Sequence, residues 1–228
     1  MTHVHRDFLQ LHCRGLFFLV NTTPMKWVEK NKLVLASRSP RRKELLEQMG
    51  LAIDILPADV DETEKPGQPP LEVVKALSEK KTSHIMHQRK NAWVLGADTI
   101  VVLDMQSLGK PENREQAIRM LGLLSGRTHS VFTAYTVGHF ARRQMKTCAV
   151  ETQVVFKTLT KPEILWYTST EEPYDKAGGY AIQGLGAFLV KGICGCCSNV
   201  VGLPVCELIQ TLTALKVIQF EDSHHDPD

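Results

Sequence analysis

The segment "LVLASRSPRRKELL", residues 33–46, runs an apolar stretch straight into two serines and two adjacent arginines. Hydroxyls and guanidinium groups gathered at one chain reversal form the donor set of an anion site. Arginine forks onto phosphate oxygens and keeps its charge throughout the physiological range. Farther on, Asp98 stands inside "AWVLGADTIVVLD", an otherwise apolar run. A carboxylate there needs a cation or a dense set of hydrogen bonds, because burying an uncompensated charge is expensive. Either it binds a metal or it works as a base, and an Asp capping a local turn at a strand end is the plainer alternative. Glu62 in "DVDET", Lys110 in "GKP" and the pair Asp175 and Lys176 in "YDKAGG" add charges that solvation alone would explain one at a time.

Together these residues describe something narrower. Arginines, lysines, an anion-ready helix start and scattered carboxylates are the parts needed to hold a polyphosphate with Mg²⁺ and direct water at one phosphorus. Neither GxxxxGK[ST] nor GxGxxG occurs, which excludes the P-loop and the dinucleotide fingerprint. His84 and His87 have i, i+3 spacing without an accompanying HExxH carboxylate, a poor basis for metal hydrolysis.

The elements that must position these groups follow from periodicity. Residues 33–36 read as a short buried strand and residues 42–49 as the opening of a helix, with Ser39 as N-cap, Pro40 at the first helical position and Gly50 as terminator. The free amides of that helix start join the arginines in one place. A capped helix with solvated arginines would use the same residues. A strand is expected within residues 51–56 and a helix over residues 71–87. The strongest strand signal is "AWVLGADTIVVLD", interrupted at its Gly-Ala-Asp-Thr step. "SLGKPEN" is a turn with Lys110 at its tip, and "REQAIRMLGLLSG" is a helix closed by Gly126. "THSVFTAYTV" and "CAVETQVVFKTL" are neighbouring antiparallel strands. A helix capped by Thr160 follows, then tight turns around a strand at residues 187–193, then a helix starting near Pro204. No repeat or long linker appears, so one α/β domain with two lobes is the simplest organisation.

Bulk properties set the bounds. The 228 residues are 43% hydrophobic and 23% charged, an ordinary globular balance. With 27 Lys plus Arg against 25 Asp plus Glu, the net charge of +2 gives no case for a nucleic-acid partner, so any anion site is local. Six cysteines lack the paired spacing of a zinc site, and reduced thiols in a cytoplasmic protein fit them better. The apolar run at residues 16–20 is far below the length of a membrane span. Residues 1–31 read as an upstream extension outside the fold, with Arg6 and Arg14 keeping a mitochondrial presequence open. The domain is expected over residues 32–220, and residues 221–228 form a disordered polar tail.

Several segments in order carry a resemblance. "ASRSPRRKELL", "GADT" at 96–99, "GKP" at 109–111, "LSGRTHSVFTA" at 124–134, "EEPYDKAGGYAIQGLGAFLV" at 171–190 and "NVVGLP" at 199–204 resemble the motifs of the Maf family of nucleoside triphosphate pyrophosphatases, over about residues 32–215. The resemblance implies a Maf and inosine-triphosphatase type of α/β fold, a mixed sheet with helices and two lobes around a nucleotide cleft. It also implies a homodimer, dependence on Mg²⁺ or Mn²⁺, and a nucleoside triphosphate as the partner, without nucleic acid or membrane. By matching position, Asp98 would accept the proton of the attacking water, and Glu62 and Asp98 would hold metal. Ser37, Arg41, Arg42, Lys80 and Lys110 would hold phosphates. "KAGGYAIQG" resembles the branch that acts on dTTP and UTP, with Arg41, Thr99 and Gln183 at the positions that go with it. A carboxamide offers a base edge both donor and acceptor. Lys81 follows Lys80 where the family carries a small residue, so either lysine could face the cleft. The alternatives are a 7-methyl-GTP pyrophosphatase and a non-catalytic, nucleotide-binding regulator of cell division.

Overall fold

The computed structural model describes residues 26–27, 33–63 and 67–220. In chain order the elements are β1 (Lys26–Trp27), β2 (Leu33–Leu35), α1 (Pro40–Gln48), β3 (Ile53–Ile55), α2 (Pro70–Gln88), β4 (Trp93–Leu103), β5 (Gln106–Leu108), α3 (Arg114–Leu124), β6 (Thr128–His139), β7 (Gln144–Phe156), α4 (Lys161–Tyr167), β8 (Val190–Cys194), α5 (Cys197–Val201), α6 (Val205–Ala214) and β9 (Ile218–Gln219). Short 3₁₀ turns fill Glu172–Asp175, Ala177–Gly179 and Gly184–Leu189. The polar tail and nearly all of the expected extension lie outside the described residues. Within that extension, β1 pairs antiparallel with β9.

The architecture is α/β. One mixed sheet has the order β3-β2-β4-β6-β7-β8, with β5 also on β4. β2 runs parallel to β3 and β4, and the remaining pairs are antiparallel. The caps expected at Ser39 and Thr160 are present, and Asn113 adds a third. The Ser39 hydroxyl accepts from the Arg42 N–H, the Asn113 side chain accepts from the Gln116 N–H, and Thr160 and Glu163 form a reciprocal capping box. Gly50 and Gly126 follow their helices with φ of 73° and 70°, where a side chain would be strained.

β4 organises the molecule, and it is not interrupted at Gly96–Thr99: all eleven residues are strand. Its period-2 alternation serves two faces. Leu95 and Ala97 pack in one apolar cluster with Leu33, Leu35, Leu46, Leu208 and Leu212, while Val101 and Leu103 on the same face join a second with Leu121, Leu124, Phe156 and Tyr167. The opposite face turns Val94, Ile100 and Val102 toward α2. Gly96 lies on this face because a Cβ there would stand 2.4 Å from Thr82 Oγ1 and 2.7 Å from the Ser78 carbonyl oxygen of α2. The glycine read as a break is a point of close helix-on-strand approach.

One edge of β4 pairs continuously with β6. The other changes partner: β2 pairs with Val94 and Leu95, and β5 with Val101–Leu103. Between them Ala97–Ile100 have no strand neighbour among the described residues, and a cleft opens there. The segment before β8 also departs from expectation. The strand begins only at Val190, because residues 184–189 wind into a 3₁₀ turn. No helix among the described residues is long and apolar enough to cross a membrane.

Below the second cluster His129 is buried, with Nε2 hydrogen-bonded to the Tyr180 hydroxyl at 2.7 Å and its ring against Phe156 and Tyr180. Burial pulls its pKa down to about 4. The unfolded chain therefore takes up this proton near pH 6.5, whereas the folded one holds out until about pH 4. Stability is full above pH 6.5 and falls through that window by about 3 kcal/mol. Urea unfolding across pH should show this loss in the wild type and not in His129→Phe.

Candidate active site

The cleft beside the free edge of β4 is a cavity of about 960 Å³, lined from α1, β4, the loop before α2, the turn after β5 and the turns at residues 172–184. Ser37, Arg41, Arg42, Glu62, Asp98, Thr99, Lys110 and Gln183, all expected from the sequence, line it. Lys80 does not, and Lys81 does.

Asp98 is 8% exposed, on the α2 face of β4. Its Oδ1 accepts from the Lys81 ammonium at 2.6 Å. The same ammonium lies 3.0 Å from Glu62 Oε1, so one cation is shared by two carboxylates. The Lys81 side chain is only 9% exposed, whereas that of Glu62 is 57% exposed. Lys80 points the other way. Its ammonium donates to the Asp61 carbonyl at 2.5 Å on the outer side of the loop that carries Glu62. Thr63 donates to Asp61 Oδ1 from its hydroxyl and its backbone, which holds that carboxyl below its ordinary range. The sequence did carry a signal for this division. Val74, Leu77, Ser78, Lys81, Thr82 and Ile85 form the buried stripe of α2, and Lys80 lies off it.

Arg42 is the most heavily engaged side chain of the site. Its Nε donates to the Gly202 carbonyl at 2.9 Å, Nη1 to the Ala97 carbonyl at 2.9 Å and to Ser37 Oγ at 3.2 Å, and Nη2 to Thr99 Oγ1 at 3.0 Å. It thereby stands in for the missing strand neighbour of β4. Burial lowers its pKa, and the nearby Asp98 carboxylate offsets part of that. The arrangement needs Gly202, whose φ of 137° few L-residues adopt. Thr99 is polarised in turn: Thr133 donates to the Asn199 carbonyl at 2.9 Å, so Thr99 donates to Thr133 at 2.9 Å and accepts from Arg42. Asn199 has its amide on the Val131 carbonyl and on Thr152. Of this web the sequence indicated Ser37, Arg42 and Thr99 as ligands of a substrate, and nothing local indicated that they would hold one another.

The opposite wall belongs to the turns at residues 172–184. Arg41 donates to Asp175 Oδ2 at 2.7 Å, and Lys176 bonds the other carboxylate oxygen. Burial alone would raise the Asp175 carboxyl, but the hydrogen bonds from Lys176 and Arg41 outweigh it and hold the pKa below the usual range. Glu172 accepts from the backbone N–H groups of Leu185 and Gly186 at 2.8 and 3.1 Å and from the Tyr167 hydroxyl at 3.3 Å. That carboxylate fixes the turn that follows Gln183, which lines the cavity. Lys110, exposed at the tip of its turn, lines the cavity from the turn after β5.

Among the described residues no group of three or more His, Cys, Asp or Glu side chains could hold a metal by itself. The donors present nevertheless suit Mg²⁺ or Mn²⁺. Asp98 and Glu62 aim carboxylate oxygens at one point already taken by a cationic group. A hard cation of this kind binds through one or two carboxylates and fills its other positions with water and substrate phosphate oxygens.

A family model described as Maf-like protein matches residues 32–215. The chain is 45% identical over 195 residues to the dTTP/UTP pyrophosphatase of Syntrophus aciditrophicus, covering 86% of this chain and 95% of that one. It is 46% identical over 184 residues to the dTTP/UTP pyrophosphatase of Myxococcus xanthus, covering 81% of this chain and 92% of that one. The solved structure of the Staphylococcus aureus Ham1 protein aligns with a TM-score of 0.41 at 11% identity, over 55% of this chain and 72% of that one.

The two neighbouring arginines should separate in a stability measurement. Arg42→Met strands buried carbonyl acceptors and should destabilise the protein by roughly 3 kcal/mol in urea unfolding, with no rescue by Lys. Arg41→Met removes a partly exposed ion pair and should lower stability by less than about 1 kcal/mol.

Proposed function

The chain belongs to the Maf family, and from that membership together with the cleft geometry we propose that it hydrolyses dTTP and UTP to the nucleoside monophosphate and pyrophosphate. The observation that carries this reading is the position of Asp98. It is a buried carboxylate on the unpaired edge of a central strand, facing a cavity whose other walls carry Arg41, Lys110 and Lys176. A binding module would need the cations but not the carboxylate.

In this reading Asp98 orients a water beside the α–β anhydride and takes its proton as the new P–O bond forms and the bridging P–O bond breaks. Pyrophosphate departs with the bridging oxygen and its electrons. Arg41, Lys110, Lys176 and the Ser37 hydroxyl bind phosphate oxygens and stabilise charge that moves onto the leaving group. Arg42 and Thr99 act behind them, holding the edge of β4 in register with α1. Glu62 and Asp98 would hold the divalent cation, which supplies Lewis-acid polarisation of the phosphate oxygens when bound. Gln183, on a turn fixed by Glu172, reads the pyrimidine edge. The same reading includes a homodimer in the cytoplasm, and a substrate met without nucleic acid or membrane, which the near-neutral net charge supports.

With Mg²⁺ or Mn²⁺, the purified protein should release monophosphate and pyrophosphate from dTTP and UTP in preference to the purine triphosphates and 7-methyl-GTP. Asp98→Asn should lower kcat by roughly 10²-fold or more, the contribution of a positioned base. Saturable nucleotide binding without product from any substrate would sink the catalytic reading. Gln183→Ala should mainly raise KM for dTTP and UTP, by roughly tenfold, and narrow the preference over purines.

A further inference from the structure

We propose that Lys81 is a resident counterion of the Asp98 and Glu62 carboxylates and competes with the divalent cation for them, so that metal binds tightly only when a phosphate gives the ammonium another partner. The inference rests on the metal-dependent reading above and adds an order to it: metal and triphosphate load together.

The geometry is specific. The ammonium stands 2.6 Å from Asp98 Oδ1 and 3.0 Å from Glu62 Oε1, between the two carboxylates that would hold the cation. A divalent ion at that point and an ammonium in its present position would be two like charges in contact, at 9% exposure of the lysine and 12% of the aspartate side chain, where water screens little. One must give way. Lys81 is rooted on the buried stripe of α2, so its ammonium cannot retreat into bulk water as a surface lysine does. It can swing only within the cavity it lines, where phosphate oxygens would receive it. Glu62 is half in solvent, on a loop held from outside by Lys80 and Thr63, while Asp98 is fixed in the strand. The pair of carboxylates thus keeps a positive partner in both conditions, first the ammonium and then the metal.

The test is direct Mn²⁺ binding to the full chain without nucleotide, read from the loss of the free-ion signal in electron paramagnetic resonance. Lys81→Met should bind Mn²⁺ roughly tenfold more tightly or better than the wild type. Lys81→Arg, which keeps the charge, should stay near it. Should Lys81→Met fail to fold, the wild type still gives an answer. Adding diamagnetic Mg²⁺ should shift the Lys81 side-chain ¹³Cε resonance, assigned by its loss in Lys81→Arg, and Asp98→Asn should abolish the effect. Equal or weaker binding by a folded Lys81→Met overturns the proposal, as does an unmoved resonance. If Asp98→Asn and Glu62→Gln leave wild-type Mn²⁺ affinity unchanged, the metal assignment itself is wrong and the proposal falls with it. If those two weaken binding while Lys81→Met does not tighten it, the competition alone is wrong.

Discussion

The buried guanidinium of Arg42 bonds the Ala97 carbonyl, the Thr99 and Ser37 hydroxyls and the Gly202 carbonyl, and so joins β4, the β2–α1 junction and the α5–α6 turn at one point. The constraint behind it is the unpaired edge of β4. A buried strand cannot leave its backbone groups without partners, yet a strand laid along Ala97–Ile100 would close the cleft. A planar group with several donors solves both problems, because it caps the edge from the side and leaves the cavity open. Lysine, with a single point of charge, could not reach carbonyls on two different elements at once. Asp98 lies on the other face of the same strand, within the electrostatic reach that raises the Arg42 pKa against its burial. Arginine and carboxylate thus stabilise each other across the strand although they do not touch.

Much of this was legible in residue types. The helix starts at Ser39, Asn113 and Thr160 are written in side chains that cap by hydrogen bonding to their own chain a few residues on, and local chemistry of that kind survives in any tertiary context. β6 and β7 were legible because both are long and β7 follows its partner β6 directly. The misreadings lie where the deciding contact is remote. Gly96 looks like a break until Thr82 and Ser78 are set against it, and only α2 packing shows that absence of a side chain is what the site requires. β5 and α5 are too short for periodicity to register, and the turns at residues 184–189 are decided by Glu172, a dozen residues upstream.

The candidate site divides along the same line. Which residues gather in the cleft followed from motif and charge, and eight of the nine expected there line one cavity. What each one touches did not follow. Arg42 and Arg41 are adjacent and chemically identical, but one faces the sheet edge and the other faces Asp175. Lys80 and Lys81 are likewise adjacent, and a rotation of one residue on a helix, about 100°, separates outer loop from inner cleft. The apolar stripe of α2 contained that answer, since only Lys81 falls in phase with Leu77 and Ile85. A charged residue on an apolar stripe is a stronger sign of a site than the same residue in a charged run.

The whole-chain charge of +2 conceals how the cleft is balanced. Its lining holds six cationic side chains, Arg38, Arg41, Arg42, Lys81, Lys110 and Lys176, and five anionic ones, Asp59, Glu62, Asp98, Glu172 and Asp175. Most are already joined: Arg38 to Asp59, Arg41 and Lys176 to Asp175, Lys81 to Glu62 and Asp98. A cleft so nearly neutral attracts a polyanion weakly from a distance. Its paired cations become available to phosphate only as their carboxylate partners find other positive charge. In the metal-dependent reading proposed above, a divalent cation arriving with the nucleotide would supply that charge at Glu62 and Asp98 and release the Lys81 ammonium toward phosphate. On that proposal, internal pairing would favour the metal-bound nucleotide over either component alone, a selectivity that no single residue of the cleft could provide.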